Sequence, residues 1–150
     1  MARIVLTTIG SLGDLHPMIA LGLELRRRGH DVVINTWEGY REKIDALRFE
    51  FFPLRPDVDI DDTEIHRKAM DASNGPEFVI KELMMGNIRD TYADLMAAID
   101  GADIFVSGEI VYAADSASKK SGVPWISTSL APISMFSAEE LAEMEELAEM

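Results

Sequence analysis

The sequence predicts a Rossmann-like, doubly wound α/β domain: a parallel sheet of about five strands with flanking helices. Three observations predict it. The apolar run Ile4–Ile9 does not alternate and stops at Gly10, as a strand buried on both faces does. A Leu-rich helical stretch and a second β-branched run, Val32–Ile34, follow at once, which makes a βαβ unit. Strand-like and helix-like segments then keep alternating as far as Ser127.

Taken in order, the first strand ends in the turn Gly10-Ser11-Leu12-Gly13-Asp14, after which Pro17 fits the first turn of a helix. Met18, Ile19, Leu21, Leu23 and Leu25 give that helix its apolar face, Arg26, Arg27 and Arg28 suit its carboxyl end, and Gly29 stops it. Asp31–Thr36 is the second strand, 40–47 a short helix and 49–53 a third strand. Residues 54–64, with Pro56 and several acids, read as a loop. Residues 76–99 carry the longest helical pattern, through Phe78, Leu83, Met84, Ile88, Tyr92, Leu95, Met96 and Ile99, with Gly86 as a point of weakness. A fourth strand at 104–107, a small-residue helix at 113–120 and a fifth strand at 123–127 complete the sheet.

The domain is expected over 1–136, and 137–150 is a separate acidic tail. Glu139–Met144 reads Glu-Glu-Leu-Ala-Glu-Met, and Glu145–Met150 repeats it letter for letter. With Ser137 and Glu140 spaced as a capping box, the tail reads as a helix, and the perfect duplication suggests an engineered extension.

Composition narrows the function. A formal charge of −13, from 14 basic and 27 acidic residues, disfavours nucleic acid and anionic membrane surfaces. The absence of cysteine excludes disulfides and thiolate chemistry and fits a cytoplasmic protein. His16, His30 and His66 show no metal-ligand spacing, no segment reads as a membrane span, and the sequence calls for neither metal nor cofactor.

Ligands of an open α/β sheet bind at the carboxyl ends of its strands, where the turn 10–17 lies. Gly10 and Gly13 permit tight or positive-φ backbone and close approach, and the helix start supplies free amides. The spacing is Gly-x-x-Gly followed by a carboxylate, whereas a dinucleotide cradle needs Gly-x-Gly-x-x-Gly and no acid at the phosphate. The turn therefore suits a carboxylate set in a cleft. Asp14 reads first as a helix-start acid and second as a general base, and the roles compete, because a carboxylate that accepts backbone amides is a weaker base.

Gly10-Ser11-Leu12-Gly13-Asp14-Leu15-His16-Pro17, ahead of a helix ending Arg-Arg-Arg-Gly-His, resembles the amino-terminal signature of the family 1 and family 28 glycosyltransferases of GT-B fold. Gly29-His30-Asp31-Val32-Val33 and Gly122-Val123-Pro124-Trp125-Ile126 are similar to later strands of the same domain, and the resemblance spans about residues 3–136. Its nearest pattern, Gly-Ser/Thr-x-Gly-Asp-x-x-Pro, is that of the bacterial antibiotic- and sterol-type enzymes. That resemblance implies an inverting transfer from a nucleotide sugar to a small-molecule hydroxyl acceptor, with Asp14 as the base. His16 is the second choice, because other branches use a histidine at this turn. Ser11 is a candidate to contact donor or acceptor from the turn, with stabilising the turn as an equal alternative. Glu109, after the fourth strand, and Ser127, Thr128 and Ser129, after the fifth, are candidates to line the acceptor cleft, each with loop capping as its plainer role. Trp37 and the Met84–Met85 pair read first as core and second as apolar acceptor surface.

A GT-B enzyme places its nucleotide-sugar motif in a second domain, and nothing in 1–150 resembles that motif. The chain is thus expected to be an acceptor-binding half, inactive alone, that meets a nucleotide sugar only with a carboxyl-terminal donor domain. A stand-alone ligand-binding module and a designed α/β scaffold are the alternatives.

Overall fold

A computed structural model describes residues 1–131. The expected acidic tail and its boundary at 136 lie outside the described residues. Five parallel strands form one sheet in the order β3-β2-β1-β4-β5. They are β1 (Arg3–Thr7), β2 (Asp31–Thr36), β3 (Glu50–Pro53), β4 (Ile104–Gly108) and β5 (Trp125–Thr128). Helices α1 (Leu12–Arg27), α2 (Arg41–Ala46), α3 (Thr63–Ala69), α4 (Gly75–Glu77), α5 (Ile88–Ala98) and α6 (Ala114–Ser121) connect them. The Rossmann-like α/β sheet expected from the sequence is the sheet observed.

The central strands are the most apolar. Val5 and Leu6 of β1, Val33 and Ile34 of β2, and Phe105 of β4 are fully buried, as strands covered on both faces must be. The edge strands carry Glu50 and the half-exposed Ile126. Helix α1 turns Leu15, Met18, Ile19 and Gly22 to the core. At its end the Gly29 N–H donates to the Arg26 carbonyl (2.9 Å) and the His30 N–H to the Leu25 carbonyl (3.2 Å), with Gly29 at φ +87°.

Buried polar groups fasten the carboxyl ends of the central strands. Thr7 Oγ1 donates to Asn35 Oδ1 at 3.1 Å, and Asn35 Nδ2 donates to the carbonyls of Phe52 (3.1 Å) and Pro53 (3.2 Å). Asn35 thereby ties β1, β2 and β3 together just beneath the loops that carry the site, with Thr7 and Asn35 themselves fully buried.

Three expectations need correction. Helix α1 begins at Leu12, so Pro17 lies inside it and not at its start. Ser11 caps that earlier start, and Pro17, having no N–H, leaves the Gly13 carbonyl without its usual helical donor. The pattern over 76–99 is not one helix. It passes from α4 through a π-helix (Phe78–Met84) and a 3-10 turn (Met85–Asn87) into α5, changing winding at Gly86. The loop assigned to 54–64 ends in α3, which Asp62 caps by accepting the amides of Glu64 (2.8 Å) and Ile65 (3.1 Å).

Candidate functional site

The strand order places the switch of direction between β1 and β4, so the loops after these two strands flank a crevice at their carboxyl ends. Gly10 lies in the first loop, with φ +129°. A Cβ on it would overlap the Asp14 carboxylate, so the glycine is what admits that group.

Ser11 and Asp14 form a reciprocal cap at the start of α1. Ser11 Oγ accepts the Gly13 N–H at 3.1 Å. Asp14 Oδ2 accepts both the Ser11 N–H (2.8 Å) and the Ser11 hydroxyl (3.1 Å). The anion at this helix start is the protein's own carboxylate, half-buried and held through a single oxygen. Tyr40, buried after β2, donates its hydroxyl to the Gly10 carbonyl at 3.1 Å. Burial, and then the negative charge of Asp14, push the Tyr40 phenol above its ordinary value. Trp37 stacks on Tyr40 with ring centroids 6.3 Å apart.

Two cavities share this turn. A larger one, about 560 Å³, is lined by Ser11, Gly13, Tyr40, Glu42, Lys43 and His66 among others. A smaller one, about 140 Å³, is almost wholly apolar and includes Gly10, Ser11, Trp37, His66, Met84 and Ile110. Ile110 comes from the loop after β4, so both banks of the crevice contribute.

Gly10, Ser11, Gly13 and Asp14 thus converge. His16 is exposed and turned aside, its Nε2 lying 3.3 Å from the Lys43 ammonium, which can only donate. Glu109 is exposed in the loop after β4 and lines neither of these two cavities, while its neighbour Ile110 lines the smaller. Ser127, Thr128 and Ser129 stand one strand further out, at the end of β5. Thr128 Oγ1 donates to the Ser107 carbonyl (2.9 Å) and Ser129 Oγ to the Ala131 carbonyl (3.0 Å). Met84 is core and cavity wall at once, whereas Met85 is half-exposed.

The glycosyltransferase family 28 N-terminal domain matches residues 4–144. This chain belongs to that family. The matched span of this family 28 domain ends at the last residue of the first Glu-Glu-Leu-Ala-Glu-Met copy. Among curated relatives, 4'-demethylrebeccamycin synthase of Lentzea aerocolonigenes is 24% identical over 95% of this chain and 35% of its own length. The O-mycaminosyltylonolide 6-deoxyallosyltransferase of Streptomyces fradiae is 42% identical over 38% of this chain and 14% of its own length. A solved calicheamicin glycosyltransferase superposes with a TM-score of 0.70 at 16% identity, covering 97% of this chain and 37% of that one. The family 28 domain therefore spans about a third of the first of these relatives.

Sequence reasoning missed Tyr40 and His66, which fall in segments with no motif, and it reads Trp37 first as core and only second as acceptor surface. His66 Nδ1 lies 2.8 Å from the Asp62 carbonyl oxygen, which can only accept. Nδ1 therefore donates this bond, at a residue that lines both cavities. No side-chain pattern in the sequence marks this bond, because its acceptor is a backbone carbonyl. Among the described residues, no group of His, Asp and Glu is arranged to hold a metal ion, and no helix is long and apolar enough to cross a membrane.

Proposed function

We propose that this chain is the acceptor-binding half of an inverting glycosyltransferase that uses a nucleotide sugar, with Asp14 as the base. The observation that carries the reading is the half-buried Asp14 carboxylate, fixed by Ser11 at the β1–β4 switch point beside an apolar cavity. The family match and the antibiotic-modifying relatives support the substrate classes.

An acceptor hydroxyl meets the Asp14 carboxylate at the mouth of the crevice and gives up its proton to it. The hydroxyl oxygen forms a bond to the anomeric carbon as the bond to the diphosphate oxygen breaks on the opposite face. The nucleoside diphosphate leaves with the bonding pair, and the configuration inverts. Holding the carboxylate through Ser11 fixes its aim, and aim accounts for much of what such a group contributes. Both hydrogen bonds fall on Oδ2, which leaves Oδ1 to receive the proton. The donor sugar is held by a second domain. Supplying only one of the two substrates' sites, the 150-residue chain alone transfers no sugar at a measurable rate.

The test is Asp14→Asn, whose amide oxygen keeps the bond from the Ser11 amide and whose thermal midpoint should stay near that of the parent. In the chain joined to a donor domain, transfer from a nucleotide sugar to a phenolic acceptor should fall by about 10²–10⁴ in kcat. Retained turnover removes Asp14 from the role of base. Turnover by the unjoined chain refutes the statement that it is inactive alone.

A further inference from the structure

The peptide group that holds Asp14 is itself held from its other end. The Ser11 N–H donates to Asp14 Oδ2 at 2.8 Å, and the Gly10 carbonyl accepts the Tyr40 hydroxyl at 3.1 Å. That carbonyl and that N–H belong to the same peptide group. Such a group is planar and trans, so its C=O and N–H point to opposite sides. Tyr40 grips one side of the plane and the Asp14 carboxylate the other, which makes a chain of phenol, peptide and carboxylate.

The plane needs holding. At Gly10, φ +129°, the missing side chain that admits Asp14 also leaves the backbone free to turn. Rotation of the Gly10–Ser11 peptide swings the N–H off Oδ2 and breaks the bond from Tyr40 in the same motion, so the tyrosine opposes it. Tyr40 is anchored for that task. It closes a 3-10 turn, Glu38–Tyr40, in the loop after β2, the strand paired with β1. It is only 6% exposed, its N–H donates to the Trp37 carbonyl at 3.1 Å, and its ring stacks on Trp37. The charge of Asp14 is felt at the Tyr40 phenol, which it helps to push upward. Hydrogen bonds in a chain polarise one another, so a carbonyl that accepts from Tyr40 makes the attached N–H a stronger donor to the carboxylate.

We propose that Tyr40 is a positioning residue for Asp14: acting through the Gly10–Ser11 peptide, its hydroxyl fixes the orientation of the carboxylate and keeps Oδ1 free. The role of Asp14 as base rests on the function proposed above; the relay of hydrogen bonds does not. Tyr40 touches no reacting atom in this scheme, and its whole effect passes through one peptide plane.

The experiment follows the Ser11 amide by NMR in the isotope-labelled 150-residue chain. In the parent, its nitrogen should show a coupling across the hydrogen bond to the Asp14 carboxyl carbon. Tyr40→Phe keeps the ring and its stacking and removes only the hydroxyl. The Ser11 nitrogen and amide proton should then both move upfield, and the coupling should weaken. Replacing tyrosine by 3-fluorotyrosine, whose phenol is a better donor, should move the Ser11 nitrogen downfield, and this decides alone if Tyr40→Phe does not fold. Thr7→Val breaks a buried hydrogen bond beneath the same loops and should leave the Ser11 signals in place, however far the thermal midpoint falls. A parent without the coupling, Ser11 signals indifferent to the phenol, or equal shifts in Thr7→Val overturn the proposal. In the chain joined to a donor domain, Tyr40→Phe should lower kcat by about 10–10²-fold and leave KM for a phenolic acceptor within about twofold. A raised KM with kcat kept means that the hydroxyl contacts the acceptor, and overturns it too. Ser11 signals indifferent to the phenol, together with loss of transfer in Asp14→Asn, refute the relay and spare the base. An intact relay together with full transfer in Asp14→Asn does the reverse.

Discussion

Gly10→Ala tests the claim that this glycine exists to admit the Asp14 carboxylate. Two costs combine. At φ +129° a side-chain-bearing residue is strained by about 1–3 kcal/mol. The new Cβ also overlaps Asp14 Oδ2 and Cγ, so the carboxylate must leave Ser11, and losing such a cap costs about 0.5–2 kcal/mol. Together they predict a loss of about 1.5–5 kcal/mol, a large part of the 5–15 kcal/mol typical of a domain. Urea denaturation followed by circular dichroism measures it, for Gly10→Ala, Asp14→Ala and the double variant. Once Asp14 is Ala, the overlap and the cap are already gone and only the backbone strain is left. Gly10→Ala should then cost less by about 0.5–3 kcal/mol, the range seen for residues in contact. Costs that add to within about 0.5 kcal/mol would refute the reasoning, because the glycine would then serve the backbone alone.

Asn35→Ala removes the link between β1, β2 and β3 and leaves the buried Thr7 hydroxyl without its acceptor, so stability should fall by about 1–3 kcal/mol; a urea midpoint unchanged from the parent contradicts this. Glu24 bridges to Arg27 (2.7 Å) and Arg28 (2.8 Å), and these bonds, Arg27's first, hold its carboxyl down to about 2 from an ordinary 4.5. The contribution of this group is present above pH 4.5 and fades as pH falls towards 2, the direction expected of a depressed folded-state carboxylate. Carbon-13 NMR of the Glu24 side chain should give a midpoint near 2 that climbs when Arg27 and Arg28 are both Ala; a midpoint of 4.5 in the parent chain overturns it.

The sheet was legible because its strands are buried on both faces, so apolar runs such as Ile4–Leu6 and Val32–Ile34 stand out without help from context. Boundaries were harder. Pro17 drew the start of α1 inward because proline favours a first helical turn, whereas the spacing Ser11-x-x-Asp14 already marked the true start. Helix α3 escaped notice since none of its residues is buried, which leaves no apolar period to read. Gly86 marked the place where the winding changes, but π and 3-10 geometry follow from packing and leave no local signature. The turn 10–14 was the legible part of the site, being contiguous. Trp37 and Tyr40, His66, and Ile110 come from three separate segments, and only the fold brings them to one crevice.

The placement of that crevice at the β1–β4 boundary has a thermodynamic consequence. Its two banks, at Gly10 and Ile110, lie a hundred residues apart in the chain and meet only when β1 pairs with β4. A molecule that touches both banks binds the folded sheet and has nothing to hold in the unfolded chain. Occupancy is therefore linked to global stability: at a hundred times its Kd, such a ligand adds about 2.7 kcal/mol to the unfolding free energy. Any substitution that loosens β1 from β4 weakens binding through the same equilibrium, without touching the site.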